Sequence, residues 1–270
     1  MKRILPNRAV IRLTGPDMLH LLGRTVTHSV DNWQTGEMRY GALLTPQGKV
    51  IADYLARLDQ ETIYLDVHAE AADDLEKRLK MFRMRNDVAI DRLTDEVVSE
   101  GNWVDIRSPQ LPQRAITAAG DAGPEMPEAE WHAARIAAGV PEWGADYRAA
   151  EVFPTDINMD MMNGIDYKKG CFVGQEVASR MKRKGKIRKR TVKVSGDALK
   201  AGMDLLADAP IGTITSVAGS AGLALIRTDR LAKAEHDGKS FTCNGAPVTF
   251  ELSEWQRAEV ESHLVESAHD

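Results

Sequence analysis

Sulfur and aromatic rings are scarce in this chain. Of 270 residues only two are cysteines, Cys171 and Cys243, and aromatic residues make up 6%. The cysteines lie far apart, and neither belongs to a CxxC or stands near a His-x-His spacing. Neither a disulfide framework nor a protein-built zinc site is therefore suggested, and no metal ligands are assigned. No apolar run approaches the roughly 20 residues that a membrane helix needs. The start, MKRILPNRAV, has a charged head without the apolar stretch of a signal peptide. These absences predict a cytoplasmic protein without a membrane partner. What remains is 43% hydrophobic and 28% charged residues, the balance of a soluble globular protein long enough for one large domain or two ordinary ones.

Acidic residues are scarce in one window. Residues 168–190 hold ten lysines and arginines against Glu176 alone, a net of +9, so the remainder of a chain with net charge -5 carries -14. Such a band is either a solvated linker or a site for an anion.

Along the chain, Ala9 to Leu13 reads as a strand, Gly15-Pro16 as a turn, and the residues after Pro16 as a short helix with Asp17 in its first turn. Two apolar runs joined by Thr45-Pro46-Gln47-Gly48, then a third over Thr62 to Val67 after the Asp59-Gln60 turn, form an antiparallel meander. Ala72, Leu75, Leu79 and Phe82 recur at helical spacing, and DVAIDRL returns to strand. Strands alternating with helices in this way predict α+β layers. Residues 105–127 are rich in proline and glycine and are read as loops around one strand. A helix starts near Glu128 and is stopped by Gly139 and Pro141. After Arg190 the segments TVKVSG, IGTITSV, GLALIRT, SFTC and APVTFEL are short and closely punctuated, as in a small all-β barrel. The final SEWQRAEVESHLVESAHD is polar and acidic, read as a helix that frays.

Cys171 sits in DYKKGCFVGQE. Gly170 gives a backbone joint before it, and Gly174-Gln175-Glu176 resembles a helix start with an acid where the positive helix end favours one. A thiol one turn before that end and beside Lys168 and Lys169 has two reasons for a lowered pKa. The competing role is a small apolar side chain filling a helix–loop junction. Glycines on both sides of Phe172-Val173 also suit close approach of the backbone to a flat ligand.

KKGCFVGQE resembles the K-G-C-[YF]-x-G-Q-E signature of the YgfZ family, folate-binding proteins implicated in iron-sulfur cluster synthesis or repair and related to the glycine cleavage T-protein (aminomethyltransferase) superfamily. The flanks resemble the family too, in PTDINMDMMNGIDY before the signature, ASRMKRKGKIRKR after it, and ARIAAGVPEWG upstream. The resemblance implies an α+β, GcvT-like folate-binding fold. Two interleaved α+β units would surround a central channel over residues 1–190, followed by a small C-terminal β-barrel over 191–256 and a polar tail over 257–270. It places Lys169, Gly170, Cys171, Phe172, Gly174, Gln175 and Glu176 on the signature, and Arg135, Gly139, Pro141, Pro154 and Asn158 on its upstream part. LLGRTVTHSV departs from the family pattern near the N-terminus, offering His28 and Ser29. GKVIAD keeps Asp53 but has Ala52 at the first position of the aspartate pair found in aminomethyltransferases.

The implied cofactor is tetrahydrofolate or a one-carbon derivative. Such a ligand needs an apolar slot, polar groups for the pterin edge and cations for its glutamate tail. Phe172, Trp143 and Met159 to Met162 are candidates for the slot, and Lys168, Lys169, Arg180 and the band to Arg190 for the tail. Cys171 is expected to face the channel as the reactive residue. Lys169, Gly170, Phe172, Gly174, Gln175, Glu176, Asp53, Arg135 and Asn158 are expected to hold the cofactor. Nucleophile, redox switch and transient cluster ligand all stay open for the thiol, although one cysteine is a poor cluster scaffold. Partners would be iron-sulfur enzymes or assembly proteins. Two other functions compete. An aminomethyltransferase is disfavoured by Ala52 and the cysteine signature. An RNA-binding module is disfavoured because Met181 to Arg190 lack the aromatic platforms of a single-strand binder.

Overall fold

The computed structural model describes residues 2–184 and 187–267. Strand β1 (Arg8–Thr14) ends in a turn that only glycine can make. Gly15 has φ +112°, and a Cβ there would lie 2.4 Å from the carbonyl oxygen of Asp87. Helix α1 (Met18–Thr25) follows, then the predicted meander of β2 (Met38–Leu44), β3 (Val50–Asp59) and β4 (Thr62–His68). The β2–β3 turn closes with Gly48 N donating to Thr45 O at 2.8 Å. Helix α2 (Ala69–Arg83) buries Ala71, Ala72, Leu75 and Leu79 against this sheet, and β5 (Ala89–Leu93) completes it. All pairings are antiparallel, in the order β2-β3-β4-β1-β5.

The sheet is covered on both faces. Seven successive residues of β3, Val50 to Ala56, are buried, and Trp143, Tyr147, Ile157, Met159 and Phe172 from later in the chain belong to the same core as α2. A strand buried on both sides loses the alternation that exposes every second residue.

A two-stranded sheet pairs β6 (Glu96–Trp103) with β7 (Arg114–Ala118), and helix α3 (Glu128–Ala137) runs to Gly139, whose φ of +70° ends it as predicted. Helix α4 (Gln175–Lys184) starts where Gly174-Gln175-Glu176 placed it. A seven-stranded antiparallel sheet follows, built from β8 (Lys189–Ser195), β9 (Asp204–Leu206), β10 (Pro210–Ala218), β11 (Ala221–Arg227) and, after helix α5 (Thr228–His236), β12 (Thr242–Cys243), β13 (Ala246–Pro247) and β14 (Thr249–Glu251). Its order is β13-β12-β9-β10-β11-β8-β14. The first and last strands of that order are separated in the chain by Val248 alone, so the sheet curls back on itself as a barrel. Helix α6 (Glu254–Ser267) docks on α5 with Gln256, Val260 and His263 buried. Residues 268–270 of the predicted tail lie outside the described residues.

Strand β6 and helix α5 escaped the sequence analysis. EVVSEGNW carries only two valines as apolar markers besides its final tryptophan. TDRLAKAEH lies among short strands and buries only small or single apolar groups, Thr228, Leu231, Ala232 and Ala234.

Between these layers runs a chain of buried charges. Asp66 on β4 accepts from Arg8 on β1 and pairs with Arg114 on β7. Arg114 and Arg107 both donate to Asp105, at 2.9 and 2.7 Å. Arg8 also reaches Glu142 at 3.6 Å; Arg135 on α3 lies 3.4 Å from Glu142 and pairs with Asp146. Asp146 accepts from the hydroxyls of Thr215 and Ser216 on β10. Burial alone would push the Asp105 carboxyl up; Arg107 and Arg114 outweigh it and hold it well below the usual carboxylate range.

Deleting one member of such a network leaves its partners buried and unpaired. Asp105→Asn should cost about 3–5 kcal/mol in urea unfolding near neutral pH, whereas Asp91→Asn, which breaks the exposed Arg12–Asp91 pair, should cost about 0–1 kcal/mol. The depressed carboxyl lends stability that is full above its unfolded pKa of about 4 and is lost as pH falls toward the folded value. The gap between wild type and Asp105→Asn should therefore narrow on acidification below about pH 4; a gap independent of pH would remove Asp105 from the network's charge balance.

Candidate functional site

The signature loop is fastened to the rest of the protein on both sides of Cys171. Thr27 Oγ1 donates to Gly164 O at 2.6 Å, and Asp166 N to Thr27 O at 2.9 Å. Lys169 turns inward, its Nζ donating to the carbonyls of Val26 and His28 at 2.7 Å each. Gln175 Nε2 bonds Lys169 O at 3.2 Å, and Phe172 is buried in the core. Gly174 has φ +79°, and a Cβ there would stand 2.5 Å from Thr45 O, so the loop presses backbone to backbone against the β2–β3 turn. At Gly170 a Cβ would meet nothing within 4 Å; no close protein neighbour requires that glycine. Between these fastenings Cys171 is exposed, whereas Cys243 is fully buried in the barrel. Phe172, not Cys171, is the side chain that fills the junction, and the thiol is open to solvent.

Lys169 is a fastening before it is a ligand group. Burial lowers its amine pKa to about 8, and its Nζ lies 5.2 Å from the centroid of the Phe172 ring. His28, whose carbonyl receives it, is itself buried, and desolvation lowers its ring pKa to about 3. The imidazole packs edge-on to Trp33 and Tyr54.

The other predicted cofactor residues do not converge on Cys171. Asp53 is buried on β3, where it accepts from Tyr40 Oη at 3.0 Å. Desolvation first and the Asp53 charge second raise the pKa of both Tyr40 and Tyr147. Arg135 is consumed by Asp146 and Glu142 in the buried network. Gln175 and Glu176 line a cleft of about 330 Å³ over α4, and Lys169 with Gly170 a separate one of about 510 Å³ beside α1. The basic band is divided as well. Arg190, 2% exposed, is gripped by Asp160 and Glu259 and by Thr155 O, while Arg180 and Lys182 face solvent. Part of the band, residues 185–186 and the Lys184 side chain, lies outside the described residues.

Of the residues expected to hold the cofactor, Asn158 alone lines the cavity where the N-terminal layers meet the barrel, with Gly139 of the upstream segment also on its wall. This cavity holds about 500 Å³ and is walled by Arg107, Met161, Met162, Lys193, Trp255 and Gln256 as well. Asn158 adopts φ +60° and donates Nδ2 to Thr191 O at 2.8 Å. Its Oδ1 is buried with no hydrogen-bond partner among the described residues. An orphaned buried acceptor is costly and marks a place where a ligand donor would fit. Of the predicted methionines, Met161 and Met162 reach this cavity, whereas Met159 is fully buried core. Arg107, Lys193, Trp255 and Gln256 were missed. Arg107 stood in a segment read as loop, and the helical spacing of Gln256, Val260 and His263 was the overlooked sign that α6 packs against the barrel.

With this geometry in view, comparisons with known proteins place the fold. The chain superposes on the glycine cleavage system aminomethyltransferase T from Bartonella henselae with a TM-score of 0.74, over 94% of this chain and 86% of that one, at 15% identity. It has the GcvT-like fold. Residues 188–258 match the family model of the CAF17 C-terminal beta-barrel domain. Curated relatives are named as mitochondrial iron-sulfur cluster assembly factor IBA57 homologues. Those of Neurospora crassa (29% identical, covering 69% of this chain and 51% of the relative), Pyricularia oryzae (30%, 69% and 55%) and Dictyostelium discoideum (23%, 69% and 60%) are examples. The chain spans about half the length of the curated relatives it matches. Their mitochondrial names overturn the cytoplasmic expectation, which had rested on the absence of an apolar leader and of membrane segments. Among the described residues no helix is long and apolar enough to cross a membrane.

Two measurements test the loop. Iodoacetamide should alkylate Cys171 in the folded protein and Cys243 only after unfolding, since exposure differs at the extremes; equal rates would mean that the loop does not present the thiol. Lys169→Met should free the loop by removing two charge-assisted bonds, costing about 1.5–3 kcal/mol and raising protease cleavage within residues 164–175; unchanged cleavage would show that Lys169 is not what holds it.

Proposed function

We propose that this protein is an iron-sulfur cluster assembly factor whose working group is Cys171, and that it binds a tetrahydrofolate species at the junction of its N-terminal layers with the barrel. The observation that carries the reading is the exposed thiol on a loop fixed on both sides, by Lys169 before it and by Phe172 and Gly174 after it. A structural cysteine needs no such display, and a reactive one needs a defined position from which to meet a partner. The IBA57 homologues named as iron-sulfur cluster assembly factors support the same direction.

Among the described residues no three His, Cys, Asp or Glu side chains gather as a metal site would require. A cluster passing Cys171 as cargo would take its remaining thiolates from an iron-sulfur enzyme or assembly protein, since clusters are held by several cysteines.

The residues at the cavity fit a folate. Asn158 Oδ1 would accept from a pterin N–H. Met161, Met162 and Trp255 offer apolar walls, and Lys193, whose Nζ lies 3.2 Å from Glu251 on the same wall, offers a cation for a glutamate carboxylate. Tetrahydrofolate, when bound, supplies a flat reduced pterin able to carry a one-carbon unit. Aminomethyl transfer is the weaker reading because Asp53, the one acid left of the expected pair, is 6% exposed and bonded to Tyr40, out of position to exchange protons with a ligand in this cavity.

Cys171→Ser should leave the melting temperature unchanged, because the side chain is exposed, yet fail to restore iron-sulfur enzyme activity in cells lacking the protein. Full complementation by the stable variant would refute the role of the thiol. Lys193→Glu should weaken tetrahydrofolate binding, most at low ionic strength where an exposed charge is least screened. Affinity equal to wild type at low salt would take the folate out of this cavity while leaving the thiol test untouched.

A further inference from the structure

The cleft over α4 has a composition that neither the folate cavity nor the thiol explains. Gln175, Ser179 and Lys182 recur at i, i+4 and i+7, with Glu176 and Arg183 one position on, so one face of the helix forms the floor and Tyr167 the opposite wall of a space of about 330 Å³. That volume lies within the range of small-molecule sites. Two hydroxyls in it are orphaned. Ser179 is 8% exposed and its Oγ has no hydrogen-bond partner among the described residues; the Tyr167 hydroxyl has none either. A serine within a helix ordinarily satisfies itself on the carbonyl four residues earlier, and this one does not. Burial raises the Tyr167 pKa, so its hydroxyl stays protonated and able to donate.

Two cations flank these donors. Lys182 Nζ stands 5.8 Å from the Tyr167 ring centroid and 3.8 Å from an Asp160 oxygen. Asp160 is already held by both terminal nitrogens of Arg190, at 2.6 and 3.1 Å, so the Lys182 charge is not spent there. The guanidinium of Arg183 makes one long contact, from Nε to Ser179 O at 3.4 Å. Two neutral O–H donors set between an ammonium and a guanidinium are what a tetrahedral oxyanion collects, since each of its oxygens accepts separately. A planar carboxylate would use fewer of them.

We propose that this cleft is a binding site for a phosphate group, with Ser179 and Tyr167 as hydroxyl donors and Lys182 and Arg183 as its cations. Glu176, exposed at the rim, is an acceptor beside the anion. It favours a phosphorylated small molecule that also carries hydroxyl or amine donors over a bare phosphate.

Inorganic phosphate is the probe, titrated calorimetrically into the full chain against sodium chloride of equal ionic strength. Wild type should bind it. Ser179→Ala and Lys182→Gln should each weaken binding about tenfold, the equivalent of one hydrogen bond to a charged group. Ser179→Ala should leave the melting temperature unchanged or raised, since it deletes an orphaned hydroxyl. Phosphate should raise the melting temperature of wild type and not of that variant. Four results would overturn the assignment: no binding by wild type; equal affinity in both variants; destabilisation by Ser179→Ala, which would give the hydroxyl a structural partner; or binding of glutarate as tightly as phosphate, which would make this a carboxylate site.

Discussion

Eight buried charges hold this molecule in one arrangement. Arg8, Arg107, Arg114 and Arg135 face Asp66, Asp105, Glu142 and Asp146, four cations to four anions, so the group is neutral as a whole though each member is charged. Its members come from the five-stranded sheet, the two-stranded sheet, α3 and the loops between, and Asp146 extends it to hydroxyls on β10 of the barrel. Hydrophobic contacts alone would let these layers slide, because apolar packing is tolerant of direction. Charges removed from water tolerate no unpaired arrangement. The register between layers is thereby fixed, and with it the cavity, since Arg107 belongs both to the network and to the cavity wall.

The same requirement decides what the signature residues can do. Lys169 has three donors and satisfies two on the carbonyls of Val26 and His28; a lysine so placed positions the loop and has little charge left for a ligand tail. Gly174 serves by having no Cβ, Phe172 by filling core, and Gln175 by bonding back to Lys169 O. Four residues of the motif thus serve to hold a fifth, Cys171, at a set place on the surface. Such a division leaves the thiol exposed at a defined place, with no group of metal-ligating side chains gathered among the described residues.

Much of this was legible in the sequence, for identifiable reasons. The meander, α2 and the start of α4 announce themselves through turn residues and apolar spacing, which are local. Cys171 was singled out by its motif and expected to face a channel; that it is exposed is read from the structure alone. Asp53 was assigned by resemblance to the aminomethyltransferase acid pair, and β3, buried on both faces, sets it in the core beside Tyr40. Arg135 and Lys169 were assigned to a ligand because a motif names residues without saying which way they point. Their partners, Asp146 and the carbonyls of Val26 and His28, are 11, 143 and 141 residues away in the chain. For Lys169 no pattern within a window of helix or strand length can contain that information.

The basic band shows where charge counting ends and geometry begins. A net of +9 over residues 168–190 suggested one anion-binding surface, yet Arg190 and Lys169 face inward and spend their charge on internal acceptors. Arg190 ties Asp160 and Thr155 of the N-terminal layers to Glu259 of α6, along the seam where Asn158 and Gln256 both bond Thr191 O. The cavity opens on that seam. A ligand that filled the Asn158 acceptor while touching Trp255 or Lys193 would bear on both the N-terminal layers and the barrel at once, and so would stabilise their junction as well as occupy it. Among the described residues the cations of the band that remain exposed are Arg180, Lys182 and Arg183 on α4, with Lys168 before that helix and Arg188 and Lys189 after it. Anion binding by the band is therefore left to these outward-facing cations, while Arg190 is spent on holding the seam.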